Sequence, residues 1–256
     1  KAHRLERTLP NGITLGVRGM PLPQGGFVTL YIDVSAAKAH QAELEHLAHF
    51  DALTGLPNRV LLADRLRQGM AQVARRGQQL GVAYLDLDGF KAINDSVGHG
   101  VGDLLLVGLA NRMKQTLRDG DTLARIGGDE FVAVLMDVAG LDESVPMLRR
   151  LLDAADAPLT VEGHELRLSA SVGVTFFPQD NEVEPDQLLR QADQAMYLAK
   201  QRGKNRYHVF DTEHDRSERG SDQRRDQRIA TAPANGSLRA TDRASEDRSA
   251  FEVAFQ

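Results

Sequence analysis

Two pairs of carboxylates are the groups in this sequence best suited to chemistry. Asp86 and Asp88 end an apolar stretch typical of a buried strand, and Asp129 and Glu130 lie within a second apolar stretch, residues 122–136. If the two stretches are neighbouring strands, the carboxylates converge at one edge of a sheet. They would then repel each other unless a hard divalent cation such as Mg²⁺ neutralised them, and Mg²⁺ commonly shares its shell with phosphates. The alternative is a solvated acidic turn, because short Asp-x-Asp matches are common.

Glycines and lysines near these acids suit a phosphate ligand. Gly127 and Gly128 precede the second acidic pair and allow a tight turn that approaches a bulky ligand. Lys200 and Lys204, four apart at the predicted end of a helix, could clamp a triphosphate. The alternative is that these lysines only complement the helix dipole at a C-terminus.

Three polar residues lie between the two acidic segments. Asn94, His99 and Asp103 offer an amide, an imidazole and a carboxylate. A carboxylate can accept hydrogen bonds from the N1 and N2 donors of guanine, as it does from other base amines. Each residue also has a structural alternative: a helix cap, a surface histidine and a first-turn acid placed by the helix dipole.

The elements that must position these groups mix strands and helices without a regular βαβ repeat. This mixture predicts an α+β sandwich, with a largely antiparallel central sheet flanked by helices. Asn58 is predicted to cap a helix whose inward residues are Val60, Leu61, Leu62 and Leu66. Strands are predicted at 81–86, within 122–136 and 159–177, and at 207–210; helices are predicted at 36–52, 58–76, 101–117, 143–156 and 187–201.

The composition excludes several other classes of protein. The 256 residues carry a formal net charge of −5 and no cysteine, which excludes disulfides and sulfur-based zinc sites and is typical of the cytoplasm. The net negative charge argues against bulk binding to nucleic acid. The longest apolar run, residues 104–107, is far shorter than the ~20 residues of a membrane span. We expect a cytoplasmic protein with no nucleic-acid partner and no membrane span.

Five ordered motifs resemble the GGDEF family of diguanylate cyclases, and the resemblance runs from residue 51 to about residue 210. It implies a nucleotidyl-cyclase, palm-like fold. It also implies that two GTP molecules are condensed into cyclic di-GMP and two pyrophosphates, with Mg²⁺ or Mn²⁺ as cofactor and with a homodimer as the active form. The motifs are DALTGLPNR (51–59), DLDGFKAINDSVGHGVGD (86–103), RIGGDEF (125–131), SVGV (171–174) and AKQRGKNR (199–206).

The resemblance assigns roles by matching positions. Asp86, the carbonyl of Leu87 and Asp129 would bind the metal, and Lys91 would stabilise the phosphates. Either Asp129 or Glu130 would be the general base. The substrate contacts implied for GTP are Asn94, His99, Asp103, Gly127, Gly128, Lys200 and Lys204.

A possible regulatory motif lies just before the second acidic pair. Arg118 and Asp121 form an RxxD that resembles the family's product-inhibition site. Arg118 could pair with a phosphate or a guanine edge, and Asp121 could accept from guanine. The alternative is a surface turn with an i,i+3 charge pair.

The chain divides into four predicted segments. Residues 1–35 resemble the C-terminal strands of a PAS sensor domain, and residues 36–52 would form a helical signalling linker. Residues 53–210 form the catalytic domain, and the charged 211–256 segment is expected to be a disordered or truncated tail. The alternative functions are a catalytically silent module that binds GTP or cyclic di-GMP, and a cyclase acting on ATP, which Asn94 and Asp103 disfavour.

Overall fold

A computed structural model of the chain describes residues 3–211, so the predicted tail lies, apart from Asp211, outside the described residues. The strands are β1 (His3–Thr8), β2 (Thr14–Pro21), β3 (Phe27–Asp33), β4 (Gln79–Asp88), β5 (Thr122–Gly127), β6 (Glu130–Val138), β7 (Leu159–Val161), β8 (His164–Leu166), β9 (Ser169–Phe177) and β10 (Arg206–Val209). The helices are α1 (Ser35–His49), α2 (Arg59–Arg76), α3 (Phe90–Val97), α4 (His99–Thr116), α5 (Leu141–Asp156) and α6 (Pro185–Gln201).

A five-stranded sheet in the order β10-β9-β4-β6-β5 forms the centre of the larger, C-terminal part of the described chain. β4 is antiparallel to both β6 and β9, β5 is antiparallel to β6, and β10 alone runs parallel to its neighbour β9. One face packs against α3, α4 and α5, and the other against α2 and α6. The predicted α+β sandwich with a largely antiparallel sheet is confirmed.

Strand β4 separates the two cores because successive side chains of a strand point to opposite faces. Ala83, Leu85 and Leu87 belong to the core under α4 and α5. Val82 and Tyr84 belong to the core under α2 and α6. This alternation puts the Asp86 position on the α2 and α6 side of the sheet.

Helix α2 starts where the sequence predicts but buries a different set of residues. The Asn58 side chain accepts hydrogen bonds from the backbone N–H groups of Val60 and Leu61 at 2.9 and 3.2 Å, so the predicted cap is confirmed. The prediction that Val60 points inward is wrong, because its side chain is 60% exposed. The buried face is set by Leu62 and Leu66, four apart, and Val60 lies about half a turn away from it.

The segment between the acidic motifs contains a helix that the sequence analysis did not predict. Helix α3 is eight residues long and follows Gly89, whose φ of 86° is left-handed. Phe90, Ile93 and Val97 face the core under α4 and α5, and their i, i+3, i+7 spacing is the signal that could have revealed it. Helix α4 then begins at His99, two residues before the predicted start.

Helix α6 lies directly on the sheet at Gly173, the glycine of the SVGV motif. A Cβ added at this position would overlap the backbone oxygen of Ala192 and the backbone nitrogen of Met196. Only a residue without a side chain permits this approach of helix to strand. The motif therefore has a packing reason, independent of any ligand.

The N-terminal strands form a separate three-stranded antiparallel sheet in the order β1-β2-β3, within the segment that resembles the C-terminal strands of a PAS domain. Helix α1 follows, and none of its residues is buried. Its apolar side chains Leu44 and Leu47 are 54% and 51% exposed. No helix within residues 3–211 has both the length and the apolar character needed to cross a bilayer.

Candidate active site

The two acidic segments meet at the ends of neighbouring strands, as predicted. Asp86 on β4 is paired in register with Glu130 on β6, and the Leu87 N–H donates to the backbone oxygen of Asp129 at 3.2 Å. Asp129 lies in the turn of the β5–β6 hairpin, where Gly128 adopts a left-handed φ of 54°. The hairpin therefore brings Asp129 and Glu130 beside the end of β4.

Lys200, at the end of α6, reaches the carboxylate of Asp86. Its Nζ lies 2.7 Å from Oδ2 of Asp86, whose side chain is largely buried. Burial raises the pKa of Asp86, the Lys200 ammonium opposes that rise, and the nearby Asp129 and Glu130 add to it. On balance the pKa of Asp86 is raised above its usual value, because burial and the neighbouring acids outweigh the Lys200 ammonium.

Glu130 has a hydrogen-bond partner inside the sheet. The Tyr84 hydroxyl donates to Oε2 of Glu130 at 3.1 Å. Burial raises the pKa of Tyr84, and the Glu130 carboxylate raises it further, so the phenol stays protonated. Tyr84 was not among the predicted site residues, since an apolar strand with one tyrosine carries no functional signal.

Asp88 does not join the acidic cluster. Its carboxylate accepts hydrogen bonds from the hydroxyls of Ser169 and Ser171 at 2.7 and 2.8 Å, and from the backbone N–H of Asn205 at 3.3 Å. Asp88 therefore ties β4 to β9 and to the segment after α6. Of the two acids in the Asp-Leu-Asp motif, Asp86 lies in the candidate site and Asp88 is structural.

The groups expected to bind the metal suit a hard cation that takes some of its ligands from a substrate. Within residues 3–211, no three His, Asp or Glu side chains are arranged to hold an ion. The expected set comprises only two carboxylates, Asp86 and Asp129, and the carbonyl of Leu87. Mg²⁺ is usually bound by one or two carboxylates together with phosphates and waters, so this small set suits a metal that arrives with a nucleotide.

The predicted guanine readers lie on α3 and α4. Oδ1 of Asn94 is buried without a hydrogen-bond partner, although a buried acceptor normally has one. The amide lies against Gly102, where a Cβ would overlap it. Asp103 and His99 are exposed. An unpaired acceptor beside an exposed carboxylate fits a ligand with several donors, as guanine has.

The two lysines of the predicted phosphate clamp differ in position. Lys200 lies on α6, but Lys204 follows the end of the helix and has a left-handed φ of 60°. Its N–H donates to the Ala199 oxygen at 3.1 Å, and its side chain is exposed. The helix ends at Gln201, as predicted, so Lys204 lies just beyond it, and the phosphate clamp stays a prediction. Lys91, on α3, is also exposed.

Comparison with known proteins decides the family. The sequence profile of the family described as "Diguanylate cyclase, GGDEF domain" matches residues 48–206. This chain belongs to the GGDEF family. A second profile, described as "PAS fold", matches residues 1–42, so the PAS resemblance at the N-terminus is confirmed, while its boundary at residue 35 stays a prediction.

Relatives of this GGDEF protein include much longer chains. It is 42% identical over 184 residues to the bifunctional diguanylate cyclase/cyclic di-GMP phosphodiesterase MucR of Pseudomonas aeruginosa. This match covers 72% of this chain and 26% of MucR. It is 40% identical over 169 residues to the cyclic di-GMP phosphodiesterase NbdA of the same species, covering 66% and 21% of the two chains. The chain thus spans about a quarter or less of these relatives.

A solved structure confirms the fold. A form of PA1120 (TpbB or YfiN) from Pseudomonas aeruginosa that comprises only the GGDEF domain superposes with a TM-score of 0.63 at 33% identity. The superposition covers 67% of this chain and 99% of that one. The sandwich described above is therefore the GGDEF fold.

The GGDEF hairpin is fixed by an arginine that the sequence analysis did not select. Arg125 donates to both carboxylate oxygens of Asp51 at 2.9 and 3.1 Å and to the backbone oxygen of Gly128 at 2.7 and 3.0 Å. Burial alone would raise the pKa of Asp51, but hydrogen bonds from Thr54 and Arg125 outweigh it and hold the pKa below its usual value. Asp51 and Arg125 both lie in motifs of the family, and this position in the motifs was the signal that could have identified them.

The RxxD motif forms a closed turn in this GGDEF domain. The Asp121 carboxylate accepts from the backbone N–H groups of Arg118 and Met136 at 3.0 and 2.9 Å. The Arg118 side chain is exposed, with Nη1 3.9 Å from Glu143. Backbone N–H groups bonded to the Asp121 carboxylate hold the turn. An ion pair between the side chains of Arg118 and Asp121 does not.

Proposed function

We propose that this chain is an active diguanylate cyclase, which condenses two GTP molecules into cyclic di-GMP with release of two pyrophosphates. The observation that supports this most is the intact Gly-Gly-Asp-Glu hairpin, with Glu130 paired in register with Asp86. MucR, whose name includes diguanylate cyclase activity, matches across this region. Our proposal places the reaction at the ends of β4 and β6.

The substrate would be held at both of its ends. Asn94 and Asp103 would read the guanine base, since one offers an unpaired buried acceptor and the other an exposed carboxylate. Lys200 and Lys204 would bind the triphosphate, with Lys91 as a further cation from α3. His99, at the start of α4, would lie among the base and ribose contacts.

The catalytic groups would act on the attacking 3′-hydroxyl and the α-phosphorus. Asp86, Asp129 and the Leu87 carbonyl would hold Mg²⁺ or Mn²⁺, which when bound neutralises phosphate charge and eases hydroxyl deprotonation. A neutral hydroxyl is a poor nucleophile, so a carboxylate base would accept its proton. The hairpin backbone at Gly127 and Gly128 leaves room for the phosphates.

Two domains would be needed for each product molecule. One GGDEF domain presents one GTP, and cyclic di-GMP is two-fold symmetric, so the two substrates must face each other across a two-fold axis. We propose a homodimer as the active form. We also propose that Arg118 and Asp121 bind the product and so provide feedback inhibition, the exposed guanidinium making the first contact.

Product analysis tests the enzyme proposal. Wild-type protein incubated with GTP and Mg²⁺ should form cyclic di-GMP, detected by mass spectrometry. Glu130→Gln and Asp86→Asn should each lower the rate at least ~100-fold, whereas Asp64→Asn, an exposed acid on α2, should leave it unchanged. No product from the wild-type dimer would contradict the proposal. Equally rapid turnover of ATP would revive the alternative of a generic cyclase that also acts on ATP.

A second candidate function is a silent module that binds GTP or cyclic di-GMP and signals through partners. It is favoured by the match to NbdA, a relative named only as a phosphodiesterase. Calorimetry would separate the two: the silent module would bind GTP or cyclic di-GMP with a measurable heat while forming no product over many hours.

A further inference from the structure

A tyrosine connects the sheet interior to one of the two candidate bases. Tyr84 lies on β4 two residues before Asp86, on the same face of the strand. Its hydroxyl donates to Oε2 of Glu130 at 3.1 Å. The phenol supplies the hydrogen and the carboxylate oxygen accepts it. The contact leaves Oε1 of Glu130 as the oxygen available to a substrate.

Packing fixes the tyrosine ring. Tyr84 packs against the core under α2 and α6 together with Ile126 and Leu189. These three side chains also line a cavity of about 390 Å³, whose other walls are Arg59, Ala63, Asp186, Arg190 and Asp193. The core thus supports one side of the ring, and the hydroxyl reaches Glu130 on the neighbouring strand.

The two candidate bases are held very differently. A glutamate has a long side chain and loses considerable rotamer freedom when one geometry is imposed, and at Glu130 the tyrosine imposes it. The Asp129 carboxylate has no hydrogen-bond or ion-pair partner within residues 3–211 and is among the expected metal ligands. A base must be held in register with the reacting atoms, since a misplacement of about 1 Å can cost ~100-fold in rate.

We propose that Tyr84 is a positioning residue that presents Oε1 of Glu130 to the attacking 3′-hydroxyl. Glu130 rather than Asp129 is then the general base, an inference that rests on the proposed function. The proton moves from the hydroxyl to Oε1 as the oxygen forms its bond to the α-phosphorus. The bond from that phosphorus to the bridging oxygen breaks, and pyrophosphate leaves with the electron pair.

Steady-state kinetics of Tyr84→Phe test the proposal. The variant keeps the ring and removes only the hydroxyl, so we expect kcat to fall ~10-fold while KM for GTP and the Mg²⁺ dependence stay at wild-type values. Tyr197→Phe is the matched control, because Tyr197 is 47% exposed on α6. A fall in kcat of less than twofold, or a loss carried by KM or by a lower melting temperature, would overturn the role.

A double-mutant cycle tests whether the tyrosine acts through Glu130. Glu130→Asp shortens the side chain by one methylene and moves the carboxylate away from the hydroxyl. In that background Tyr84→Phe should have no further effect on kcat; an unchanged ~10-fold loss would show that Tyr84 acts elsewhere. If Glu130→Asp is inactive, the kcat and KM of the single Tyr84→Phe variant decide. A wild-type protein that binds GTP but forms no product refutes the proposed function itself.

Discussion

At the scale of single residues, the proposed guanine-binding site depends on the absence of a side chain at Gly102. The Asn94 amide occupies the space that a Cβ on Gly102 would need, and its Oδ1 is buried without a partner. A buried unpaired acceptor costs free energy unless a ligand satisfies it. Gly102 and Asn94 therefore form one unit, in which the glycine makes room for the amide that would read the base.

Gly102→Ala should weaken GTP binding more than it weakens the fold. The new methyl group must displace the Asn94 side-chain end, which can rotate, so we expect a ~10-fold higher Kd for GTP, about one hydrogen bond. Gly100→Ala, where an added Cβ meets nothing within 4 Å, is the control. Titration calorimetry with GTP measures both variants, and equal Kd values for the two would contradict the prediction.

Asp51→Asn should destabilise the domain in a pH-dependent way. The pKa of Asp51 is lowered in the folded state, so its stabilisation is present above the unfolded pKa of ~3.9 and is lost as the pH falls through the lower folded value. We expect a cost of about 2 kcal/mol at pH 7, shrinking at pH 3. Urea unfolding measures it. Asp64→Asn should cost under ~0.5 kcal/mol at both pH values.

At the scale of secondary-structure elements, long periodic segments and the meeting of the two acidic strand ends were predictable, but side-chain contacts between distant elements were not. Strand β4 and helix α2 have unambiguous patterns, and the GGDEF hairpin was placed correctly. Helix α3 was missed because eight residues give only two turns of periodicity. The ion pair from Lys200 to Asp86 joins residues far apart in the chain, and no pattern along a sequence specifies which distant partner a charge finds.

Gly173→Ala should disrupt the contact between α6 and the sheet. The added Cβ would meet backbone atoms of Ala192 and Met196, which cannot rotate away as a side chain would. Overpacking usually costs about 1–3 kcal/mol, and here we expect the upper end or more, with a clear fall in the melting temperature. Gly120→Ala, with open space around it, should change the melting temperature little, and a similar small change at Gly173 would refute the close approach.

At the scale of the whole molecule, the proposed reaction needs a catalytic unit larger than one chain. A product with two-fold symmetry requires a second substrate, which a second GGDEF domain would present. Helix α1, which precedes the domain, buries none of its own residues, and Leu44 and Leu47 are half exposed. Two such helices could pair along these exposed apolar positions and bring the domains together.

Activity per chain should therefore rise with protein concentration. Below the dissociation constant of the dimer, the specific rate of cyclic di-GMP formation should fall in proportion to the dimer fraction. Leu44→Glu with Leu47→Glu should shift that transition to higher concentration, and Val60→Glu, at another exposed apolar position, should not. Analytical ultracentrifugation alongside rate measurements gives both quantities, and a specific rate independent of dilution would refute the dimer requirement.

The direct seating of α6 on Gly173 has a further consequence for control. Backbone packed on backbone at Gly173 leaves no side chain there that could change rotamer, so this contact resists sliding of α6 over β9. Lys200 and Asp86 belong to opposite sides of that contact, so the fold sets the positions of their backbones, and only the long Lys200 side chain would move to exchange Asp86 for a phosphate. We therefore expect an upstream signal to act instead on the orientation of one whole domain toward another in the proposed dimer.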